Sequence, residues 1–344
     1  MKLLYRCLAP SIIILLVIQF ACDDNITGFK NVPVEKWYGQ LSVDLVHSIL
    51  RANGTIWSWG FNGAGTLGTG TTESSKIPVK ALNLNNVISI DQSFGAEVAV
   101  DKDGSVWFWG NLWIYFGPPD IDTNVVVPLK IAQVAGARTI TMSGVFIFLL
   151  MNNNTVCYIK LDWYSPTIVE GPIVLENIPH ITSIWKNLAI TSNGSIYDLV
   201  SQNFLQNNLI DFESVSGNLS RHVVSLKKDG TVWAWGNNDL GQLGNGTFDN
   251  SELPTRVLNL TDIIAISANY DYNLALRKDG SVWFWGFEGR EGDSLLSQNV
   301  PIKIEHISDA VLICSGYESL VMTKDGTYWI FNVKDKISTV VIFN

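Results

Sequence analysis

The chain has 344 residues, of which 47% are hydrophobic and 16% are charged. This composition excludes a disordered chain, and the length excludes a small disulfide-stapled scaffold. Twenty-three basic against 32 acidic residues give a net charge of −9. Binding to nucleic acid needs clusters of basic side chains, and the chain offers only short pairs such as Lys227-Lys228, so we expect no nucleic-acid partner.

The first 21 residues have the pattern of a secretion signal. Lys2 and Arg6 precede an apolar segment, Ser11–Phe20, which is shorter than the roughly 20 residues of a membrane-spanning helix. Ala21 and Cys22 follow. This arrangement resembles a bacterial lipoprotein signal, in which the cysteine is lipidated and becomes the mature N-terminus. Two alternatives stay open: a soluble secreted protein cleaved near this point, and an uncleaved anchor.

From this pattern we predict a signal peptide over residues 1–21, a lipidated linker over 22–36 and a folded domain over 37–344. Stable anchoring takes more than one acyl chain, and bacterial lipidation attaches several. The lipid on Cys22 is therefore predicted to be the only contact with a membrane. The expected location is the bacterial cell envelope, at the outer membrane or the cell surface.

The folded domain is a series of repeats. Each copy has an alternating apolar run, a turn built mostly on Asp-Gly or Asn-Gly, and a second alternating run that ends in Trp-x-Trp-Gly in the clear copies. Such a pattern predicts a β-hairpin, because glycine supplies the positive φ that the turn needs. Four clear copies and three weaker ones cover the domain at a period of about 50 residues: Arg51–Gly60, Asp101–Gly110, Lys227–Gly236 and Arg277–Gly286, then Met151–Ile159, Thr191–Leu199 and Thr323–Phe331.

Further strands follow the hairpins. A proline-containing extended stretch such as Lys76–Val79 precedes an apolar run such as Val87–Ile90, and no segment has a helical period. Four-stranded units that repeat radially form a β-propeller, so the predicted fold is all-β with seven four-stranded blades. The C-terminal strand in 337–343 is expected to pair with the N-terminal strand near Tyr38–Leu45 and close the ring, which would cover two sheet edges.

The best copy identifies a family. Asp229–Thr247 reads DGTVWAWGNNDLGQLGNGT, which resembles the regulator of chromosome condensation repeat with its Trp-x-Trp-Gly and Gly-Gln-Leu-Gly motifs. The resemblance extends over residues 40–344 and implies a seven-bladed β-propeller. The copies at 151–159 and 191–199 lack Trp-x-Trp-Gly, so irregular blades are expected there.

Most of the distinctive residues are assigned to the scaffold. Nine of the 13 tryptophans lie in the repeats, and the other four are Trp37, Trp113, Trp163 and Trp185. The histidines His47 and His222 fall at equivalent places before their hairpins and are interpreted as structural. The cysteines that remain in the domain, Cys157 and Cys314, lie in different repeats, and no disulfide is expected between them.

The sequence contains no recognisable catalytic, cofactor-binding or metal-binding pattern. Gly63–Gly68 matches Gly-x-Gly-x-x-Gly, but no amphipathic helix follows it, so it is interpreted as a blade turn. Asp101–Gly104 lacks the further ligands of a calcium loop. We therefore predict a non-enzyme without cofactor or metal ion. Carboxylate pairs for glycoside hydrolysis stay open, because loops converge at one end of a propeller.

The places where the repeat is interrupted are candidates for function. Trp113 and Tyr115 replace the glycine-rich turn of the second copy, and the sixth copy carries the charged segment Glu288–Asp293 with Arg290. Aromatic side chains on loops are good interface anchors. We therefore predict a contact surface that contains Trp113, Tyr115 and Arg290, with packing against a neighbouring blade as the alternative for the aromatic residues.

These observations favour a non-enzymatic binding module, expected to be a monomer, that holds a protein or a glycan through loops on one face. Two alternatives stay open. One is an envelope enzyme that acts on polysaccharide with carboxylates at one end of the propeller. The other is an enzyme inhibitor, since a secreted propeller of the same family inhibits β-lactamases. The nuclear exchange-factor role of the family's namesake is not expected here because of the secretion signal.

Overall fold

The structure is a computed structural model and describes residues 41–43, 46–93, 95–112, 124–162, 165–205, 210–217, 221–269, 271–291, 294–305, 307–315, 319–325, 327–332 and 337–341. These residues form seven sheets of four strands, and each sheet takes strands that are consecutive in the chain. In this part of the chain, no helix is long and apolar enough to cross a membrane.

Within every sheet, each strand pairs with the strand before it. Sheets 1 to 4 contain, in chain order, β1 (Leu41–Val43), β2 (Val46–Leu50), β3 (Ile56–Gly60), β4 (Ser75–Lys80); β5 (Val87–Ser93), β6 (Ala96–Asp101), β7 (Ser105–Gly110), β8 (Val125–Gln133); β9 (Ala137–Ser143), β10 (Phe146–Met151), β11 (Val156–Leu161), β12 (Ile168–Val174); and β13 (Ile181–Trp185), β14 (Leu188–Thr191), β15 (Ile196–Asp198), β16 (Asn203–Phe204). Sheets 5 to 7 contain β17 (Phe212–Gly217), β18 (His222–Lys227), β19 (Val232–Gly236), β20 (Ser251–Arg256); β21 (Ile263–Ala268), β22 (Tyr272–Arg277), β23 (Val282–Glu291), β24 (Ser294–Lys303); and β25 (Ala310–Cys314), β26 (Ser319–Thr323), β27 (Tyr328–Asn332), β28 (Ile337–Val341).

The central hairpin of a sheet is held by its Asp or Asn side chain. Oδ1 of Asp229 accepts hydrogen bonds from the backbone N–H of Thr231 at 2.9 Å and from its hydroxyl at 2.6 Å. Asn53 holds Thr55 in the same way. Gly230 has a φ of 77°, a conformation that glycine adopts without steric cost. The turn predicted from Asp-Gly and Asn-Gly is confirmed, and these hydrogen bonds hold the pKa of Asp229 below its usual value.

Neighbouring sheets meet mainly through their first strands. Contacts join β1 to β5, β5 to β9, and so on to β21 and β25, so the first strand of each sheet lies innermost, as in propeller blades. The apolar core lies between adjacent sheets: one cluster joins Leu50 and Ile56 of sheet 1 to Val87 and Trp109 of sheet 2. The prediction of an all-β propeller is confirmed.

The prediction that the N-terminal and C-terminal strands pair to close the ring is wrong. Strand β28 pairs with β27, with Val340 opposite Trp329, and sheet 1 is built from its own four strands. Pairing with the preceding strand closes a short loop, which costs less chain entropy than pairing with a strand at the other end of the chain.

Most outer strands are protected against adding a further strand. Proline has no N–H to donate and is tolerated at a sheet edge. Strand β16 lacks proline but has only two residues. Five of the seven outer strands contain a proline: Pro78, Pro128, Pro172, Pro254 and Pro301.

Candidate interaction surface

A row of short polar side chains on the first strands joins neighbouring sheets. Each occupies the same register position in its strand and accepts a hydrogen bond from a backbone N–H of the next sheet. We call it the inner polar row. No local motif marks these residues, which the sequence analysis missed. The bonds run from Met142 to Asp91 Oδ2 (2.8 Å), from Lys186 to Thr141 Oγ1 (2.8 Å), from Ala268 to Ser216 Oγ (3.0 Å) and from Ser315 to Ser267 Oγ (2.9 Å).

An ion pair reinforces this row between sheets 2 and 4. Lys186 Nζ lies 3.1 Å from Asp91 Oδ2 and 3.2 Å from Oδ1, and it also donates to the carbonyl of Gln92. The side chains of Lys186 and Asp91 are 18% and 7% exposed. The Thr141 hydroxyl of sheet 3 donates to Asp91 Oδ2 at 2.8 Å. Three sheets are therefore fastened at one point, and the amine of Lys186 is committed to that contact.

The two histidines before the hairpins are buried, as a structural role predicts, but their predicted equivalence is wrong. His47 is opposite Trp59 and His222 is opposite Gly236, one place earlier in its strand, so the side chains point to opposite faces of their sheets. His222 Nε2 lies 2.7 Å from Asn273 Oδ1 of sheet 6. Burial lowers the pKa of His222 to about 4 and that of His47 well below its usual value, so both are neutral at pH 7.

Glu97 is a fully buried carboxyl group in β6. It occupies the same register position as Asn273 in sheet 6, opposite the second tryptophan of its repeat. Burial raises the pKa of Glu97 to about 8, the charge of Asp91 adds to the rise, and Ser48 and Trp109 oppose it. Glu97 therefore keeps its proton at neutral pH.

The tryptophans of the clear repeats belong to the scaffold, as predicted. The first of each pair is half-buried and lies beside the end of the preceding strand: the guanidinium of Arg277 is 4.5 Å from the ring centre of Trp283. Trp185 is also buried, and its indole N–H donates to the carbonyl of Gly217 in sheet 5. The second of each pair is at most 7% exposed: Trp59, Trp109, Trp235 and Trp285.

In the described part of the chain, sheet 4 presents short outer strands beside sheet 3. Strand β15 has three residues and β16 has two. Five side chains on the face of sheet 3 that turns towards sheet 4 are not fully buried, and we call them the open face. Ile173 is 42% exposed, Glu170 is exposed and the others are half-buried. The open face consists of Phe146, Tyr158, Lys160, Glu170 and Ile173.

The side chains at the register positions of Tyr158 and Phe146 are buried in sheets 1, 2, 5 and 6, whereas the counterparts of Ile173 in sheets 2 and 6 are exposed, as Ile173 is. The counterparts of Tyr158 are at most 2% exposed: Ser58, Phe108, Ala234 and Phe284. The counterparts of Phe146 are at most 4% exposed: Val46, Ala96, His222 and Tyr272.

The residues singled out in the sequence have different outcomes. Cys22, Trp113 and Tyr115 lie outside the described residues, and their roles stay predictions. The backbone of Arg290 lies in β23 opposite Leu295 of β24. The segment predicted as a charged loop is thus, up to Glu291, an extension of two paired strands.

The two cysteines of the described domain are buried thiols with raised pKa values. Cys157 and Cys314 are buried and unpaired, as predicted. Burial raises the pKa of Cys157 to about 11 and that of Cys314 well above its usual value. Among the residues that the structure describes, no group of three or more His, Cys, Asp or Glu is placed to hold a metal ion.

The fold and the repeated registers define a β-propeller built from homologous blades. Family comparison specifies the repeat: a model described as "Regulator of chromosome condensation (RCC1) repeat" matches residues 53–98 and 229–276, and a second model with the same description matches residues 214–242. The chain thus carries this repeat over the matched residues.

Relatives with this repeat are diverse. The chain is 24% identical over 258 residues to the ultraviolet-B receptor UVR8 of Arabidopsis thaliana. This alignment covers 72% of this chain and 53% of the relative. The chain is 29% identical over 237 residues to the probable E3 ubiquitin-protein ligase HERC6 of Homo sapiens (65% and 21%) and 23% identical over 213 residues to the human E3 ubiquitin-protein ligase HERC2 (61% and 3%). The chain thus spans about half or less of the length of these relatives. The crystal structure of human WBSCR16 has a similar fold, with a TM-score of 0.61 and 13% identity over 81% of this chain and 88% of that chain.

Proposed function

We propose that the protein is a non-enzymatic interaction module that binds a protein or a glycan at the bacterial cell envelope. The main support for this proposal is that similar sequence occurs in relatives whose names indicate different activities. A receptor and two ubiquitin ligases have different activities by name, and the match to one of them covers only 3% of its length. A structural unit that occurs in proteins of different activity is better explained as a scaffold that presents binding surfaces than as the carrier of one activity.

The chemistry of the described residues also supports binding rather than catalysis. A nucleophilic cysteine has a lowered pKa, whereas burial raises the pKa of both Cys157 and Cys314. The amine of Lys186 is held by Asp91. His222 is paired with Asn273 inside an interface between sheets. Lys186 and His222 are therefore engaged in contacts between sheets, and burial disfavours the thiolate form of both cysteines.

Affinity capture tests the binding function. The full-length chain is used as bait with envelope extract, beside variants in which Trp113, Tyr115 or Arg290 is changed to alanine. We expect a specific protein or glycan that is captured less by these variants than by a Leu253→Ala control, whose side chain is exposed on β20. Undiminished capture by all three variants would remove them from the contact surface. Hydrolysis of a glycan panel without capture would favour the envelope enzyme, and inhibition of a β-lactamase panel would favour the inhibitor.

We also propose that Cys22 carries the lipid that anchors the chain. The support is the Ala21-Cys22 sequence after a short apolar segment. In a bacterial host fed an alkyne-labelled fatty acid, we expect label on the wild-type chain and on a Cys157→Ser control, and none on Cys22→Ser. Label that persists in Cys22→Ser would contradict lipidation at this residue.

A further inference from the structure

We propose that the proton on the Glu97 carboxyl group completes a hydrogen-bonded link between sheets 1 and 2. The protonated carboxyl group donates to Oε1 of Gln92, whose amide holds sheet 1, and loss of the proton opens the interface between the two sheets. We call this contact the proton link. It does not depend on which partner the protein binds, so it goes beyond the proposed function.

The amide of Gln92 joins the two sheets. Gln92 lies on β5, is 1% exposed, and its Nε2 donates to the carbonyl of Val46 on β2 at 3.2 Å. This hydrogen bond fixes the orientation of the amide, because only its nitrogen can donate to a carbonyl oxygen. Oε1 of Gln92 is buried and has no hydrogen-bond partner among the described residues, so it lacks a donor.

Glu97 is the direct neighbour of Gln92 across the sheet. The register of β5 and β6 places the two residues opposite each other, so their side chains lie on the same face. Glu97 is fully buried, and neither carboxyl oxygen has a hydrogen-bond partner in the described part of the chain. Neighbouring side chains thus carry three buried acceptor oxygens. A proton on Glu97 supplies the donor that these groups lack.

The equivalent place between sheets 5 and 6 shows a different solution. Asn273 occupies the register position of Glu97. Its Oδ1 lies 2.7 Å from His222 Nε2, and its amide nitrogen donates to the carbonyl of Gln242 at 2.9 Å. In sheet 1 the position of His222 is occupied by Val46, which has no polar side chain. Glu97 therefore has no partner on that strand, and the amide on the neighbouring strand takes its place.

Two donors near Glu97 favour its ionised form only in part. Ser48 and Trp109 lower the pKa of Glu97, but burial outweighs them. The hydroxyl oxygen of Ser48 is paired with that of Ser58 at 2.8 Å, and the indole N–H of Trp109 donates to the carbonyl of Thr66 at 2.8 Å. These donors are engaged within the interface and do not replace the proton.

The surrounding charges also disfavour ionisation of Glu97. The charge of Asp91 adds to burial and raises the pKa of Glu97 to about 8. Lys186 is held by Asp91, and Arg138 donates to backbone carbonyls of sheets 3 and 4. Above this pH the carboxylate meets the unpaired Oε1 of Gln92 and the charge of Asp91, so the interface loosens. The other ionisable side chains on the packed elements are His47, which is neutral, Asp101 at the end of β6, and the exposed Glu73.

Amide hydrogen exchange at several pH values tests the proton link. Each rate of the full-length wild type is divided by the rate of Glu97→Gln at the same pH, which removes the pH dependence of the exchange chemistry. For amides of β2 and β3 we expect this ratio to rise about ten-fold per pH unit up to about pH 8 and to level off above it. The ratio should stay constant in β15 and β16, which open independently of this interface.

A second variant separates the donated hydrogen bond from the effect of burial. Glutamine at position 97 keeps a donor for Gln92 Oε1, whereas Glu97→Met is also neutral and of similar size but donates nothing. At about pH 6 we expect β2 and β3 to exchange at least about five-fold faster in Glu97→Met than in Glu97→Gln, because Gln92 Oε1 stays buried without a donor. The control Glu73→Gln changes an exposed carboxylate and should exchange as the wild type does.

Several results would overturn the proton link. A wild-type ratio that does not change with pH would remove the role of the proton. Equal exchange in Glu97→Met and Glu97→Gln would mean that burial alone sets the pH dependence, and an equal rise in β15 and β16 would mean that the whole ring responds. If Glu97→Met does not fold, Gln92→Met replaces it. Without the acceptor, the ratio measured with and without Glu97→Gln should level off at a lower pH, and an unchanged pH would contradict the link.

Discussion

At the scale of single residues, Glu97 is the group that most directly links this fold to pH. Its pKa rises from 4.5 to about 8, mainly because the carboxyl group is buried. The folded chain therefore binds this proton more tightly than the unfolded chain does. The stability that the neutral form provides is fully present below pH 4.5 and is lost as the pH rises through about 8.

Replacing Glu97 by glutamine should remove this dependence. Glutamine has a similar shape and no charge, so we expect Glu97→Gln to be more stable than the wild type at pH 7. The difference in the free energy of unfolding should grow by at most about 1.4 kcal/mol per pH unit between pH 5 and 8. Urea unfolding at several pH values measures it. Glu73→Gln is the control, because Glu73 is exposed, and parallel pH profiles for Glu97→Gln and the wild type would contradict the prediction.

At the scale of structural elements, the inner polar row shows how the first strands stay in place. Ser216 of β17 accepts a hydrogen bond from the N–H of Ala268 in β21 at 3.0 Å, and it is 2% exposed. Ser225 of β18 is fully buried in the same sheet, and its hydroxyl makes no hydrogen bond within the described residues. These two serines therefore form a matched pair that differs in one hydrogen bond.

Changing Ser216 to alanine should leave the N–H of Ala268 buried without an acceptor. We expect Ser216→Ala to lower the free energy of unfolding by about 1–3 kcal/mol. Ser225→Ala should be neutral or stabilising, because it removes a hydroxyl group that has no partner in the described structure. Chemical unfolding of both variants makes the comparison, and equal losses would mean that the inner polar row adds nothing to the contact between these sheets.

The elements also show how far the sequence leads. The positions of the hairpins can be predicted from local sequence, because the hydrogen bonds that hold the turn join Asp229 and Thr231, which are two residues apart. The inner polar row does not, because Ser216 is an ordinary strand residue until the next sheet places Ala268 beside it. The wrong prediction of ring closure has the same origin, because the sequence offers β28 two possible partners and loop entropy decides between them. The exposure of Tyr158 was also not predictable, since it depends on the length of a neighbouring sheet.

At the scale of the whole molecule, the sheets are unequal although the repeats are homologous. In a repeat protein each unit is stabilised mainly by its own pairing and by its two neighbours. Sheet 5 has a central strand β19 of five residues paired on both sides, whereas the corresponding strand of sheet 4, β15, has three. Sheet 4 also meets sheet 3 across the open face. Local opening should therefore begin in sheet 4.

Amide hydrogen exchange measures this inequality directly. We expect the amides of β15 and β16 to exchange about ten-fold or more faster than those of β19, because few paired residues and incomplete burial lower the free energy of local opening. In Leu199→Trp the added indole should cover part of the open face and slow exchange in sheet 4, while β19 stays unchanged. The control is Leu253→Ala, which changes an exposed side chain on β20 and should leave sheet 4 as it is. Uniform protection of all seven sheets in the wild type would mean that the sheets open together and that the short strands of sheet 4 do not lower its local stability.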